Sequence, residues 1–202
     1  MQLIGMLDSP YVRRTAISLR RLGLPFEHRP LSVFRHFDAV HAINPLVKVP
    51  TLVCDDGCVL VDSTLIIDYA ETLAGRSLMP QGTDARRRAL RLIGVALVVC
   101  EKAVQHLYEH KRMPDKQDAG WLERVHGQLR DACALLEPEL RDVPANRWLC
   151  GDEPTQADIS VGVAWTFTRI VAADVVSARD YPAFAAFAER AERLPEFMAL
   201  RP

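Results

Sequence analysis

The run Asn44-Pro45-Leu46-Val47-Lys48-Val49-Pro50-Thr51-Leu52-Val53-Cys54-Asp55-Asp56-Gly57-Cys58-Val59-Leu60-Val61-Asp62-Ser63 holds the opening of a strand, a turn, a return strand and the start of a helix. A residue before proline is pushed out of the α region, so a helix over Phe37 to Ile43 closes before Asn44-Pro45. Pro50 can donate no ladder hydrogen bond and therefore suits the beginning or edge of a strand. Thr51 to Cys54 and Val59 to Val61 are apolar and partly β-branched, and Asp56-Gly57 between them reads as a hairpin turn. Ser63 is the residue expected to cap the helix that carries Ile66, Ile67, Tyr69 and Leu73.

Upstream, Gln2 to Met6 is a short apolar run, and Tyr11 to Leu22 places Val12, Ala16 and Leu19 inward at helical spacing, with Arg13, Arg14, Arg20 and Arg21 toward water. Gly23 terminates that helix, and Phe26 to Leu31 reads as a second strand. The order β-α-β-α-β-β-α implies helices packed on a small mixed sheet. Downstream, Ala74 to Gly82 has the Gly/Pro content of a linker, and beyond it the strand signal vanishes. Asp84 to Met113 reads as one long helix. Trp121, Leu122, Val125, Leu129, Ala132 and Leu136 mark a second, Thr155 to Val176 a third, and Pro182 opens a last one with Phe184, Phe187 and Ala191. The expected fold class is α/β plus all-α, with an α/β domain over residues 1–76 and an all-helical domain over residues 84–202.

Composition excludes several function classes. The 202 residues carry 25 Lys/Arg against 26 Asp/Glu, so a net charge of -1 offers no global attraction to nucleic acid or to an anionic membrane. The apolar stretch Ile93 to Cys100 is less than half a membrane span, and the N-terminus lacks the basic and apolar regions of a secretory signal, so a cytoplasmic address is expected. The five cysteines contain no Cys-x-x-Cys pair, and no metal site is expected. Cys54 and Cys58 flank the hairpin turn, where small hydrophobes are favoured over a disulfide in a reducing compartment.

Four short constellations can carry chemistry. Ser9-Pro10-Tyr11-Val12 places a hydroxyl at a helix start, where unpaired N–H groups and about half a positive charge favour an anion. Ser9 also reads simply as an N-cap before a first-turn proline. Val49, if its bond to Pro50 is cis, presents its N–H and C=O to an extended peptide, while Pro50 also reads as an ordinary edge-strand proline and Lys48 as a solvated charge. Asp62-Ser63 can meet a ligand ammonium and carboxylate at another helix start, although capping alone explains Ser63. Thr155-x-x-Asp158 is a capping box with a structural role.

Taken in order, Ser-Pro-Tyr after the first strand, Asn-Pro-Leu-x-Lys-Val-Pro before the third, and Asp-Ser opening the third helix resemble the thioredoxin-like domain of the cytosolic glutathione transferases. The Ser-Pro-Tyr motif is most similar to a bacterial subgroup of transferase-like proteins. The likeness extends through Leu78-Met79-Pro80 and the helical half, where Thr155-x-x-Asp158 matches the family's buried capping box. It implies glutathione as co-substrate, paired through the backbone of Val49 before a cis Pro50. Asp62 and Ser63 then hold the γ-glutamyl end, and Lys48, helped by Arg35 or His36, meets the glycine carboxylate. Ser9 is the implied activator of the thiol. Asp8, where several serine-type members carry the hydroxyl, would oppose a thiolate unless it faces solvent or pairs with Arg13 or Arg14. A hydrophobic electrophile is expected in a cleft between the domains, lined by Tyr11, Phe34, His106, Tyr108 and Trp165, with two-fold homodimerisation. Glutathione-dependent isomerisation, peroxide reduction, or non-catalytic carriage on the same fold are the alternatives.

Overall fold

The computed structural model describes residues Met1–Pro202. In chain order its elements are β1 (Gln2–Ile4), α1 (Pro10–Leu22), β2 (Glu27–Arg29), α2 (Phe37–Ile43), β3 (Thr51–Val53), β4 (Val59–Leu60), α3 (Ser63–Ala74), α4 (Thr83–His110), α5 (Ala119–Arg141), α6 (Gln156–Val171), α7 (Pro182–Ala191) and α8 (Pro195–Met198). They form two compact units, one of Met1–Leu78 with Leu194–Pro202 and one of Met79–Arg193.

The first unit is a four-stranded mixed sheet in the order β2-β1-β3-β4, with β1 parallel to β2 and antiparallel to β3, and β3 antiparallel to β4. Leu3 and Ile4 of β1 and Leu52 of β3 are fully buried, as are Val12, Ala16 and Leu19 of α1 and Ile66 and Ala70 of α3. This is the small mixed sheet expected from the element order, in the thioredoxin-like arrangement that the resemblance implies, and α1 packs against α3. Gly23 closes α1 in the left-handed conformation, with the Leu24 N–H reaching back to the Leu19 carbonyl.

Gly5 decides the geometry at the end of β1. Its φ is +134°, and a Cβ there would lie 2.5 Å from Val12 Cγ2 and 3.0 Å from Val49 Cβ. Only glycine lets the first turn of α1 and the segment before Pro50 close on the same point of the strand.

Three expectations for this unit need correction. Asp62, not Ser63, is the N-cap of α3: its Oδ1 accepts from the N–H groups of Thr64 (2.8 Å) and Leu65 (3.2 Å), and Ser63 becomes the first helical residue. Both types are good caps, so the sequence alone does not choose between them. Arg13 and Arg14 are buried rather than wet, because α3 and the C-terminal segment both pack on α1. The helix opened by Pro182 is not the last. Past it, α8 packs on α1, and Leu194–Pro202 clusters with the first unit instead of with the helical one.

The second unit is helical. α4 packs against α5 and α6, and α7 packs against α5 and α6. Leu92, Ala96, Val99 and Ala103 of α4 meet a core that includes Val125, Leu129 and Leu136 of α5, nearly the whole of α6, and Phe184 of α7. Three buried carboxylates satisfy backbone donors that helix starts and loops leave unpaired. Asp158 accepts from the Thr155 N–H and hydroxyl (2.7 Å each) and from the Leu149 N–H (2.9 Å). Glu137 of α5 accepts from the N–H groups of Ala183 and Phe184 at the start of α7 (2.9 Å each). Glu109 accepts from the Asp118 N–H ahead of α5 (2.8 Å). The capping box at Thr155 is therefore present as read. No helix is long and apolar enough to cross a membrane.

Candidate functional site

The site is built around α1. Ser9 is its N-cap, with Pro10 at the first helical position, where the missing N–H costs nothing. Ser9 Oγ accepts from the Val12 N–H at 3.5 Å, a long bond that leaves the hydroxyl proton for another acceptor. Asp8 beside it is exposed, while the Arg13 and Arg14 guanidinium groups bond elsewhere.

Through Gly5, the first turn of α1 lies against Val49. The Val49–Pro50 peptide bond is cis. Neither the N–H nor the C=O of Val49 has a hydrogen-bond partner within the chain. A backbone donor and acceptor left open on one half-buried residue is what an extended peptide needs in order to pair. The adjoining loop is braced from within: Thr51 Oγ1 donates to the Lys48 carbonyl (2.7 Å), and Asn44 Nδ2 donates to Thr51 Oγ1 (2.8 Å).

From one turn further along α1, Arg14 reaches the start of α3. Its Nη1 donates to Ser63 Oγ (2.9 Å) and Thr64 Oγ1 (3.2 Å), and Ser63 and Arg14 are both almost wholly buried. The Ser63 hydroxyl accepts here, so its proton is free to be donated outward. Asp62 spends Oδ1 on the helix end and leaves Oδ2 exposed to a cation. A guanidinium and a helix N-terminus together make this a place for a carboxylate, with an acidic oxygen beside it for an ammonium.

Residues 3–78 match the glutathione S-transferase N-terminal domain and residues 119–190 the glutathione S-transferase C-terminal domain. The chain belongs to the glutathione S-transferase family. A glutathione transferase family member from Pseudomonas fluorescens with bound glutathione is 30% identical, with a TM-score of 0.83 over 100% of this chain and 98% of that one. A glutathione S-transferase from Methylobacterium radiotolerans, in complex with glutathione sulfonate, is 26% identical with a TM-score of 0.89, covering 100% of this chain and 94% of that one. An uncharacterised GST-like protein of Escherichia coli K12, YibF, is 27% identical over 143 residues, 70% of this chain and 71% of that protein.

The remaining residues expected in a transferase site are spread more widely. Arg35 and His36 lie in the exposed turn before α2, where the Arg35 N–H donates to Ser32 Oγ and the Ser32 N–H to His36 Nδ1 (3.0 Å). Lys48 is exposed. Tyr11 is half-buried in the first turn of α1, and Phe34 is 55% exposed. In the helical unit Tyr108 is exposed, whereas His106 and Trp165 are buried. His106 Nδ1 lies 2.9 Å from His126 Nε2, and the Trp165 ring packs 4.9 Å from that of Phe184. The residue that sequence reasoning missed is Arg14. Helical periodicity set it among the wet arginines, and no local signal distinguishes it from Arg20 or Arg21.

Proposed function

We propose that this chain is a glutathione transferase whose first unit binds glutathione extended along Val49 and activates its thiol at the start of α1. The carrying observation is the unpaired N–H and C=O of Val49, which Gly5 brings against the first turn of α1, while the Arg14–Ser63 bond ties α1 to the start of α3. The cysteinyl backbone pairs with Val49. The γ-glutamyl carboxylate takes the Ser63 hydroxyl and the positive end of α3, and the ammonium takes Asp62 Oδ2. Lys48, with Arg35 or His36, is the cation for the glycine carboxylate.

A free thiol with a pKa of about 8.5 is only a few per cent ionised at neutral pH, and each unit of lowering needs about 1.4 kcal/mol of preferential thiolate stabilisation. The Ser9 hydroxyl proton and the α1 N-terminus supply it. The thiolate then attacks an electrophilic carbon, the sulfur–carbon bond forms, the leaving group departs with its electron pair, and the thiol proton passes to solvent. Within the first unit, Tyr11 and Phe34 are the proposed contacts for the apolar body of the electrophile.

Leu65, Tyr69 and Leu73 form an exposed i, i+4, i+8 stripe on α3, 62%, 38% and 51% exposed, which suits a homodimer face. All five cysteines are free thiols, in keeping with a cytoplasmic enzyme.

Titration calorimetry with millimolar glutathione, followed by conjugation of an aryl halide, tests this reading. Binding heat and turnover are expected, with Ser9→Ala raising the pKa of the bound thiol and slowing turnover at neutral pH. Absence of any binding heat overturns it.

A further inference from the structure

The final residues Leu194-Pro195-Glu196-Phe197-Met198-Ala199-Leu200-Arg201-Pro202 hold one turn of helix, too short to be stable unless it packs. It packs on α1. Phe197 is fully buried and Leu200 nearly so. The Arg13 guanidinium, 1% exposed, donates from Nε to the Leu200 carbonyl (2.8 Å) and from Nη2 to the Phe197 carbonyl (3.5 Å), and sits 5.3 Å from the centre of the Phe197 ring. Farther along α1, Arg21 Nη1 meets Glu196 Oε1 at 3.1 Å, with both side chains 18% exposed.

Arg13 is also the residue whose N–H closes the first turn of α1 on the Ser9 carbonyl (2.9 Å). One residue thus ties the N-cap through its backbone and the chain's end through its side chain. Carbonyls at the C-terminal end of a short helix are acceptors that need donors, and a buried guanidinium supplies several in a planar array. A buried charge-assisted pair of this kind holds the elements it joins in one relative position.

We propose that Leu194–Pro202 is a positioning latch for the thiol site, with Arg13 as the positioning residue that transmits it to Ser9. This rests on the transferase reading above and extends it. The C-terminal segment touches neither Val49 nor Ser63 in the contacts described, and it acts only by fixing where the first turn of α1 presents its hydroxyl and N–H groups. Misplacing a hydrogen-bond donor by a fraction of an ångström weakens its hold on a thiolate without removing the fold.

Two variants test it. Arg13→Met keeps the buried stem and removes the donors. A chain ending at Ala199 removes the Leu200 acceptor while keeping Phe197 and the Arg13 charge. The readouts are the pKa of bound glutathione, from thiolate ultraviolet absorbance, and the pH profile of kcat/KM. Both variants should raise the bound thiol pKa by about one unit, so that activity falls about tenfold on the acidic side and recovers on the alkaline plateau. Arg13→Lys should restore part of the loss.

If both variants melt earlier yet keep the wild-type thiol pKa and profile, the latch is wrong and the contact is structural only. A shift in Arg13→Met alone also overturns it, because charge rather than attachment is then responsible. Failure of the wild-type protein to bind glutathione is a different result and defeats the transferase reading itself.

Discussion

Arg14 Nη1 lies 2.9 Å from Ser63 Oγ, so a buried guanidinium on α1 holds the hydroxyl of the first residue of α3. A hydroxyl that accepts from arginine keeps its proton for another acceptor, which in the transferase reading is the ligand carboxylate at the start of α3. Arg14→Met should therefore weaken glutathione binding about tenfold, the worth of one hydrogen bond to a charged group. Calorimetry should show the loss in affinity, with kcat changing much less. Unchanged affinity would separate Arg14 from the carboxylate subsite.

Asp158 is fully buried and accepts three hydrogen bonds, from Thr155 twice and from Leu149. Burial pushes its carboxyl upward, although those donors oppose the shift. Asp158→Ala leaves all three donors unpaired inside the helical unit and should cost about 3–5 kcal/mol. Urea denaturation should show a lower midpoint. Retention of the wild-type midpoint would mean that water replaces the carboxylate there.

His106 on α4 and His126 on α5 share a 2.9 Å ring contact, with the His110 ring tilted against that of His106 at 4.2 Å and Asp174 3.8 Å from His106 Nε2. Burial pushes both the His106 and His126 pKa values down; His110 adds to this, Arg130 also lowers His126, and Asp174 opposes the shift in each. Unfolded histidines take up protons near their ordinary pKa of about 6.5, while these two resist, so the unfolded chain binds more protons in that window. Stability is therefore complete above that range and declines as pH falls through it toward the folded values. Tm measured from about pH 7.5 to 5.5 should drop, and His126→Gln should flatten the slope. An equally steep slope in the variant would place the proton uptake elsewhere.

Leu65, Tyr69 and Leu73 leave an apolar stripe on the outer face of α3. Leu65→Glu puts a charge at the most exposed position of that stripe, inside any face that covers it. Equilibrium sedimentation should find the wild-type protein at twice its 22.7 kDa chain mass and the variant at that mass. A wild-type monomer would remove the stripe from consideration as a self-association surface.

The elements that were legible in the sequence are those set by neighbours along the chain. Asp56-Gly57 produced the hairpin between β3 and β4, Pro10 and Gly23 bounded α1, Pro182 opened α7, and Thr155 with Asp158 formed the expected capping box. Ser9, Val49, Asp62 and Ser63 stand out in the sequence as a candidate set because their order and spacing carry the family resemblance. Arg13 and Arg14 were not. A polar residue on an amphipathic helix reads as solvated when one face of that helix is covered, and here α3 and α8 cover more than one.

Local chemistry, acting over a few residues, determined by itself the order and type of most elements, and so an α/β unit followed by helices. Only the tertiary structure decided that Asp62 caps α3 while Ser63 turns to Arg14, that Gly5 brings Val12 and Val49 together, and that the last nine residues return to α1. Each of those outcomes is settled by a contact between residues far apart in the chain, Arg14 with Ser63, Gly5 with Val49 and Arg13 with Leu200, and no local stretch of sequence contains both partners.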